Sequence, residues 1–128
     1  MKVSAGKLSR VNPALCHWGG PTGVLVPSTW PLIGVVRHYG HGVVTGELTQ
    51  TKARSGVMKG WGEQTISFVG TATFGDSGSA LMTADGLAAG AIVAIAPNGD
   101  RATRIDVAMA RASQALGVSL TLLTAPLA

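Results

Sequence analysis

Ser77 is the residue whose type and neighbours most directly suggest covalent chemistry. It lies in the segment TFGDSGSAL, residues 73–81, between Asp76 and Gly78. A serine hydroxyl is a poor nucleophile near neutral pH, so catalysis needs a base that takes its proton and N–H groups that hold the oxyanion. Flanking glycines let the backbone turn sharply close to a substrate. The segment meets this backbone requirement, and the alternative is that Ser77 is only the tip of a polar turn.

Short apolar and β-branched runs, bounded by Gly, Pro, Asn or Asp, surround this loop. They cover residues 23–26, 32–36, 43–48, 65–69, 80–82 and 87–95. Such runs are typical of strands, and Ala84-Asp85-Gly86 predicts a tight hairpin turn between the last two. Six short strands at this spacing indicate an all-β fold, an antiparallel barrel or sandwich.

One helix is predicted near the end of the chain. Its apolar residues recur at spacings of three and four, with Asp106 in the first turn and Gly117 as the stop; they are Ile105, Ala108, Met109, Ala112 and Leu116. The apolar residues 118–128 are expected to pack back on the strands or to fray. Residues 1–21 show no period and contain Pro and Gly, so they are interpreted as an entry strap before a single domain at 22–128.

The composition excludes several classes of protein. Of the 128 residues, 46% are hydrophobic and 12% charged, which argues against a disordered chain and against a charged helical bundle. The net charge of +4 comes from scattered basic residues. Only Lys52, Arg54 and Lys59 fall close together, and they are interpreted as a solvated loop and not as a nucleic-acid site.

Targeting and cofactor signals are absent from the sequence. The N-terminal residues carry no apolar run of a signal peptide, and no segment has the roughly 18 apolar residues of a membrane span. Cys16 is the single cysteine, so no internal disulfide can form, and it is expected to be a small buried thiol. No metal or cofactor is expected.

The order of four segments resembles the second barrel of chymotrypsin-like serine proteases, especially bacterial, actinobacterial-type members. The segments are 36–42 (VRHYGHG), 75–79 (GDSGS), 90–95 (GAIVAI) and 103–106 (TRID). The resemblance extends over roughly residues 22 to 117. It implies a six-stranded antiparallel β-barrel with a C-terminal helix. Ser79 departs from the family pattern, in which a second glycine is commoner.

The resemblance assigns roles in the nucleophile loop. Ser77 takes the position of the nucleophile, and the N–H groups of Gly75 and Ser77 take that of the oxyanion hole. Asp76 corresponds to an inward-pointing aspartate that an internal cation neutralises. We therefore predict that Arg37 or His38, on the first strand, pairs with Asp76; the alternative is that both are surface residues of that strand.

The resemblance also implies a place for a peptide substrate. Ala94, Ile95 and Ala96 correspond to the strand that pairs with the substrate backbone. Thr71, six residues before the serine, corresponds to the position that selects the substrate side chain, with an ordinary strand-end threonine as the alternative. The small neutral residues here disfavour a positive substrate side chain.

The histidine and aspartate of the family's triad come from its first barrel, which the 21-residue strap is too short to provide. His17 lies in the strap, and His41 is the only candidate for a substitute base. The chain is therefore predicted to be inactive alone and to need a first barrel, from upstream or from another chain, that docks on an exposed apolar face. The alternatives are a non-catalytic barrel that binds a peptide or protein, and self-association. Family members of this type are usually secreted.

Overall fold

The computed structural model describes residues 11–26, 34–40, 52–70, 72, 75–96 and 99–128. Its elements are β1 (Gly23–Val24), β2 (Gly34–Tyr39), β3 (Ala53–Trp61), β4 (Thr65–Val69), β5 (Ala80–Thr83), β6 (Leu87–Ala94), β7 (Asp100–Arg104) and α1 (Ile105–Leu116).

Six antiparallel strands close into a barrel. The order runs β6, β5, β2, β3, β4, β7 and returns to β6, because β6 pairs with both β5 and β7. The short β1 lies outside this ring and runs parallel to the first residues of β6, where Gly23 is opposite Leu87. The prediction of an all-β barrel with a C-terminal helix is confirmed.

Two of the barrel strands differ from the predicted ones. Strands β3 and β7 were not expected, because their sequences ARSGVMKGW and DRATR are rich in polar and small residues. The predicted strand 43–48 lies outside the described residues. The interpretation of the basic cluster as a solvated loop is wrong, because Arg54 and Lys59 belong to β3; Arg54 is buried, whereas Lys52 and Lys59 are exposed.

The interior of the barrel is filled by one apolar side chain or two from each strand. These residues are Val36, Met58, Ile66, Phe68, Leu81, Ala89, Ile92 and Ala102, together with Leu25 after β1. Alternation on β4 is typical of this pattern, since Ile66 and Phe68 point inwards while Val69 is exposed. Each large side chain contributes about 1.5–3 kcal/mol by burial, so the interior supplies the main driving force for closure.

The helix begins and ends where the sequence predicts. Gly117 adopts a left-handed φ of 68°, and the carbonyl of Ser113 accepts the N–H of Val118 at 3.2 Å. At the other end Arg104 donates to both carboxylate oxygens of Asp106, at 3.0 and 2.6 Å. Within the described residues no helix has the length and hydropathy needed to cross a bilayer.

The two ends of the described chain lie against each other. Residues 11–21 are the described part of the strap, and residues 118–128 are called the tail. The N–H of Gly20 donates to the carbonyl of Pro126 at 2.9 Å, and the N–H of Ala128 donates to the carbonyl of Trp18 at 3.0 Å. The indole N–H of Trp18 donates to the carbonyl of His38 at 3.0 Å and so ties the strap to β2. The tail therefore packs back instead of fraying.

Cys16 does not have the predicted buried position. It lies in the turn between Leu15 and Gly19, which face each other across an isolated bridge, and its side chain is exposed. Cys16 and His17 are both exposed in this turn, so the preference of thiols for burial is not met here.

Candidate active site

Residues 75–79, called the nucleophile loop after the role that the sequence predicts for Ser77, turn so that one side chain points inwards and the next points outwards. Gly75 and Gly78 have φ values of 99° and 87°, which residues with a Cβ rarely adopt. Between them Asp76 is fully buried and Ser77 is exposed. The two glycines thus produce the sharp turn that places the Ser77 hydroxyl at the surface.

Backbone hydrogen bonds hold this loop against β6. The N–H of Gly78 donates to the carbonyl of Ile92 at 2.7 Å, and the N–H of Ile92 donates to the carbonyl of Ser79 at 2.9 Å. The N–H of Ser79 also donates to the carbonyl of Asp76 at 2.9 Å. Ser77 therefore sits on a backbone whose position is set by a barrel strand.

Asp76 is paired inside the barrel with Arg54. The Nη2 group of Arg54 lies 2.7 Å from one carboxylate oxygen and 2.9 Å from the other. The side chains are 6% and 0% exposed, so each charge depends on the other for stabilisation. Gly40 leaves room for this pair, because a Cβ at that position would overlap the Asp76 carboxylate and lie 2.8 Å from Arg54 Nη2.

The prediction that Arg37 or His38 neutralises Asp76 is wrong. Arg37 lies 4.7 Å above the ring of Trp18, on the strap side of β2. His38 points inwards, and its cross-strand partner on β3 is Arg54, which reaches the carboxylate instead. The prediction of an internal cation for Asp76 is met by a different residue on the neighbouring strand.

The sequence of β3 gives no clear signal for Arg54, because the apolar Val57 lies on the outward face of the strand and the arginine on the inward face. Along β3 the buried Arg54 and Met58 alternate with the exposed Ser55, Val57 and Lys59. This period of two in burial is typical of a strand with one inward face, and in the structure it places Arg54 inside. A buried arginine on such a face needs an acidic partner, which Asp76 provides.

His38 is a buried imidazole beside this ion pair. Its side chain is fully buried, and neither ring nitrogen has a hydrogen-bond partner in the described structure. Burial lowers the pKa of His38, the positive charge of Arg54 lowers it further, and Asp76 acts in the opposite direction. The ring is thus held in its neutral form inside the barrel and is not exposed beside Ser77.

Asp100 is a second buried acid near the loop, and sequence reasoning missed it. It is 6% exposed at the start of β7, and its carboxylate accepts the backbone N–H groups of Ala96 and Ala72. Burial raises the pKa of Asp100, and the nearby charge of Asp76 adds to this, while the two N–H groups oppose it. Asp100 thereby links the segment before the nucleophile loop to the segment after β6.

The predicted substrate residues are only partly described. Ala94 is exposed at the end of β6 opposite Arg101, and Ile95 and Ala96 follow it in a half-buried position. Because the nucleophile loop is bonded to β6 at Ile92, these residues continue from the strand that carries the loop. Thr71 lies outside the described residues.

The N–H groups predicted to form an oxyanion hole belong to Gly75 and Ser77. In the described part of the chain, neither N–H donates to a backbone or side-chain acceptor. Two N–H groups that have no acceptor among the described residues, on an exposed turn, are able to bind an anionic oxygen from outside.

No base for Ser77 appears among the described residues. His17 is exposed in the strap against Trp18, His38 is buried, and no hydrogen bond joins Ser77 to a described histidine. His41 lies outside the described residues. The described residues also contain no group of three or more His, Cys, Asp or Glu side chains placed to hold a metal ion.

Comparisons with protein-family models, with curated proteins and with solved structures find no match for this chain.

Proposed function

We propose that this chain is the C-terminal half of a chymotrypsin-like serine endopeptidase, with Ser77 as the nucleophile. The strongest support is that two adjacent side chains of this loop point in opposite directions, one into the barrel and one to the solvent. Ser77 is exposed on a turn whose preceding residue, Asp76, is buried and neutralised by Arg54. A polar surface loop has no need of such an internal ion pair, whereas a nucleophile and its oxyanion site need a fixed backbone.

In this proposal the Ser77 oxygen attacks the carbonyl carbon of a peptide, and its proton passes to a base on a partner barrel. The N–H groups of Gly75 and Ser77 hold the oxyanion of the tetrahedral intermediate. The base then returns the proton to the leaving amine, which leaves an acyl group on Ser77. The base then takes a proton from a water molecule, whose oxygen attacks the ester carbonyl. As the bond to the Ser77 oxygen breaks, the base gives this proton to that oxygen, and the carboxylic acid leaves.

The partner barrel is essential because a positioned base is worth a great deal of rate. In triad proteases, loss of the histidine lowers turnover by about 10⁶. The nucleophile loop alone can still bind substrate and stabilise the oxyanion, but without a base its turnover is expected to be lower by about this factor of 10⁶. The chain by itself is therefore expected to be inactive, and a first barrel must supply the histidine and aspartate.

An apolar stripe on the outside of the barrel supports docking of a partner. Val35, Val57 and Val69 stand opposite one another on β2, β3 and β4, and each is 43–47% exposed. Adjacent exposed valines on three strands form an apolar patch, and such patches mark interaction sites. The same patch also suits self-association of this chain.

A non-catalytic barrel that binds a peptide or protein partner is the second candidate function. It is favoured by the lack of any described histidine bonded to Ser77. In this alternative the exposed end of β6 at Ala94 would bind an extended peptide segment.

A fluorophosphonate probe distinguishes the two functions. The chain is fused behind the first barrel of a bacterial chymotrypsin-like protease and compared with the unfused chain. We expect labelling of the fusion at Ser77, loss of labelling in Ser77→Ala, and retention in Ser79→Ala, the matched serine of the same loop. The unfused chain should remain unlabelled.

Two results would contradict the proposal. A fusion that is folded and docked, as shown by cooperative unfolding of both barrels in one transition, and that takes no label at Ser77 would favour the binding barrel. Labelling of the unfused chain at Ser77 would show that the base lies within this chain.

A further inference from the structure

Asp100 is a buried acid that takes no part in the reaction proposed above. It is 6% exposed at the start of β7, where it lies opposite Phe68 of β4. Its carboxylate accepts the backbone N–H groups of Ala72 and Ala96, and neither alanine belongs to a strand. A side chain, and not strand pairing, therefore joins these two segments of the described structure.

Both segments border the site proposed for a peptide. Ala72 lies three residues before the nucleophile loop. Ala96 ends residues 94–96, called the peptide-binding run because they are predicted to pair with the substrate backbone. Nearer to the serine, the N–H of Gly78 ties the loop to a carbonyl of β6 at 2.7 Å. Asp100 adds a second tie between the same two segments, beyond the end of β6.

Beyond the end of β6, the peptide-binding run is held by a turn and by Asp100. The pairing of β6 with β7 ends at Ala94, which lies opposite Arg101. In the turn towards β7, the carbonyl of Ala96 accepts the N–H of Gly99 at 3.0 Å, while the N–H of Ala96 donates to the Asp100 carboxylate. Both main-chain groups of Ala96 are therefore engaged within the protein, so this residue anchors the end of the run.

The acceptor oxygens of Asp100, and not its bulk, explain why an acid stands at this position. Burial raises the pKa of Asp100 and the negative charge of Asp76 also raises it, while the two N–H groups lower it. Burial of a carboxyl group costs free energy unless the group is hydrogen-bonded. A side chain that only filled this space would be apolar, as the buried cross-strand partner Phe68 is.

We propose that Asp100 is a positioning residue for the peptide substrate. By accepting the N–H groups of Ala72 and Ala96, it holds the end of the peptide-binding run at a fixed distance from the nucleophile loop. This inference rests on the proposed function, because it concerns the binding of the same peptide. The turn at Ser77 is held separately, by the bond from Gly78 to β6 and by the ion pair beneath it. Loss of Asp100 should therefore weaken peptide binding while the turn at Ser77 keeps its position.

Kinetics of the fusion with a first barrel test this proposal. Asp100→Leu has nearly the shape of the acid but no acceptor, and Asp100→Asn keeps one oxygen acceptor. Asp85→Leu changes an exposed acid of the hairpin turn and is the matched control. The substrate is an alanine tetrapeptide p-nitroanilide, and labelling of Ser77 by diisopropyl fluorophosphate reports on the serine without a peptide. Circular dichroism checks that the variants fold, and Asp100→Ala replaces Asp100→Leu if that variant misfolds.

We expect Asp100→Leu to raise KM about tenfold or more, because the two N–H groups that it holds lose their acceptor. Its kcat and its rate of labelling should stay within about threefold of the wild-type fusion, which is the pattern of lost substrate binding. Asp100→Asn should restore KM to within about threefold of wild type, because one acceptor oxygen remains. Asp85→Leu should leave KM unchanged.

Failure of this inference can be told from failure of the proposed function. A wild-type fusion that takes no label and hydrolyses no substrate contradicts the proposed function, and the inference falls with it. If the wild-type fusion is labelled and active, equal KM values in Asp100→Leu and Asp85→Leu would overturn the inference alone. A loss of kcat and labelling at unchanged KM would also overturn it, since Asp100 would then support Ser77. So would an Asp100→Asn variant as impaired as Asp100→Leu, which would assign the effect to charge.

Discussion

Removal of Arg54 should destabilise the protein far more than removal of Arg37. The variant Arg54→Met leaves the carboxylate of Asp76 buried without its cation, since Asp76 is 0% exposed. Loss of one partner from a buried ion pair costs about 3–5 kcal/mol, whereas the free energy of unfolding of a domain is about 5–15 kcal/mol. Arg54→Met should therefore be marginally folded, and its nucleophile loop should lose its fixed position.

Arg37→Met is the matched control on the neighbouring strand. Arg37 stacks on Trp18, both side chains are half-buried, and such a contact contributes about 0.5–2 kcal/mol, less than a buried ion pair. The double variant Arg54→Met/Asp76→Leu removes both buried charges and should recover most of the loss, because apolar residues can replace a buried pair at little cost. Urea unfolding followed by tryptophan fluorescence gives all four free energies of unfolding.

The reasoning would be refuted in either of two ways. Arg54→Met could remain within about 1 kcal/mol of wild type, a value typical of an exposed pair. Alternatively, Arg37→Met could lose as much stability as Arg54→Met, which would restore the pairing that the sequence suggested.

Two further substitutions test the surroundings of the ion pair. Gly40→Ala should lower the free energy of unfolding by at least the roughly 1–3 kcal/mol of an overpacked site, because its methyl group overlaps Asp76, whereas Gly60→Ala, with open space around its Cβ, should cost little; equal midpoints in urea would contradict the close packing. Because burial lowers the pKa of His38, the unfolded chain binds the proton first, so stability should fall as the pH drops below about 6.5. His38→Leu should remove this part of the pH dependence, and an identical slope in the variant and the wild type would show that His38 does not titrate in the barrel.

The features that sequence reasoning predicted are those fixed by local chemistry. The hairpin turn at Ala84–Gly86 and the end of α1 at Gly117 both depend on a glycine with positive φ, and both are confirmed. The barrel was predicted from several short β-branched runs. Strands β3 and β7 were missed because their own propensity is weak, and they form strands only through pairing with neighbours.

The sequence predicted the turn that carries Ser77, but it did not predict which residue neutralises Asp76 beneath this turn. The string around Ser77 specifies its own turn, since Gly75 and Gly78 adjoin the two central residues. The cation for Asp76 comes from 22 residues earlier, on a strand whose register with β2 brings it within reach. Such a contact depends on tertiary structure, and sequence spacing alone does not identify the partner.

The dependence of the nucleophile loop on Arg54 and Gly40 limits how it can be transplanted. Grafting residues 73–81 onto another scaffold would carry over the glycines and the serine but would leave an aspartate pointing into a foreign interior. A graft must therefore also include Arg54 from β3, which neutralises the aspartate. It must include Gly40 after β2 as well, because a Cβ there would overlap the carboxylate. The smallest portable unit is therefore a three-part constellation spread over about 40 residues, and protein engineers would need to move it whole.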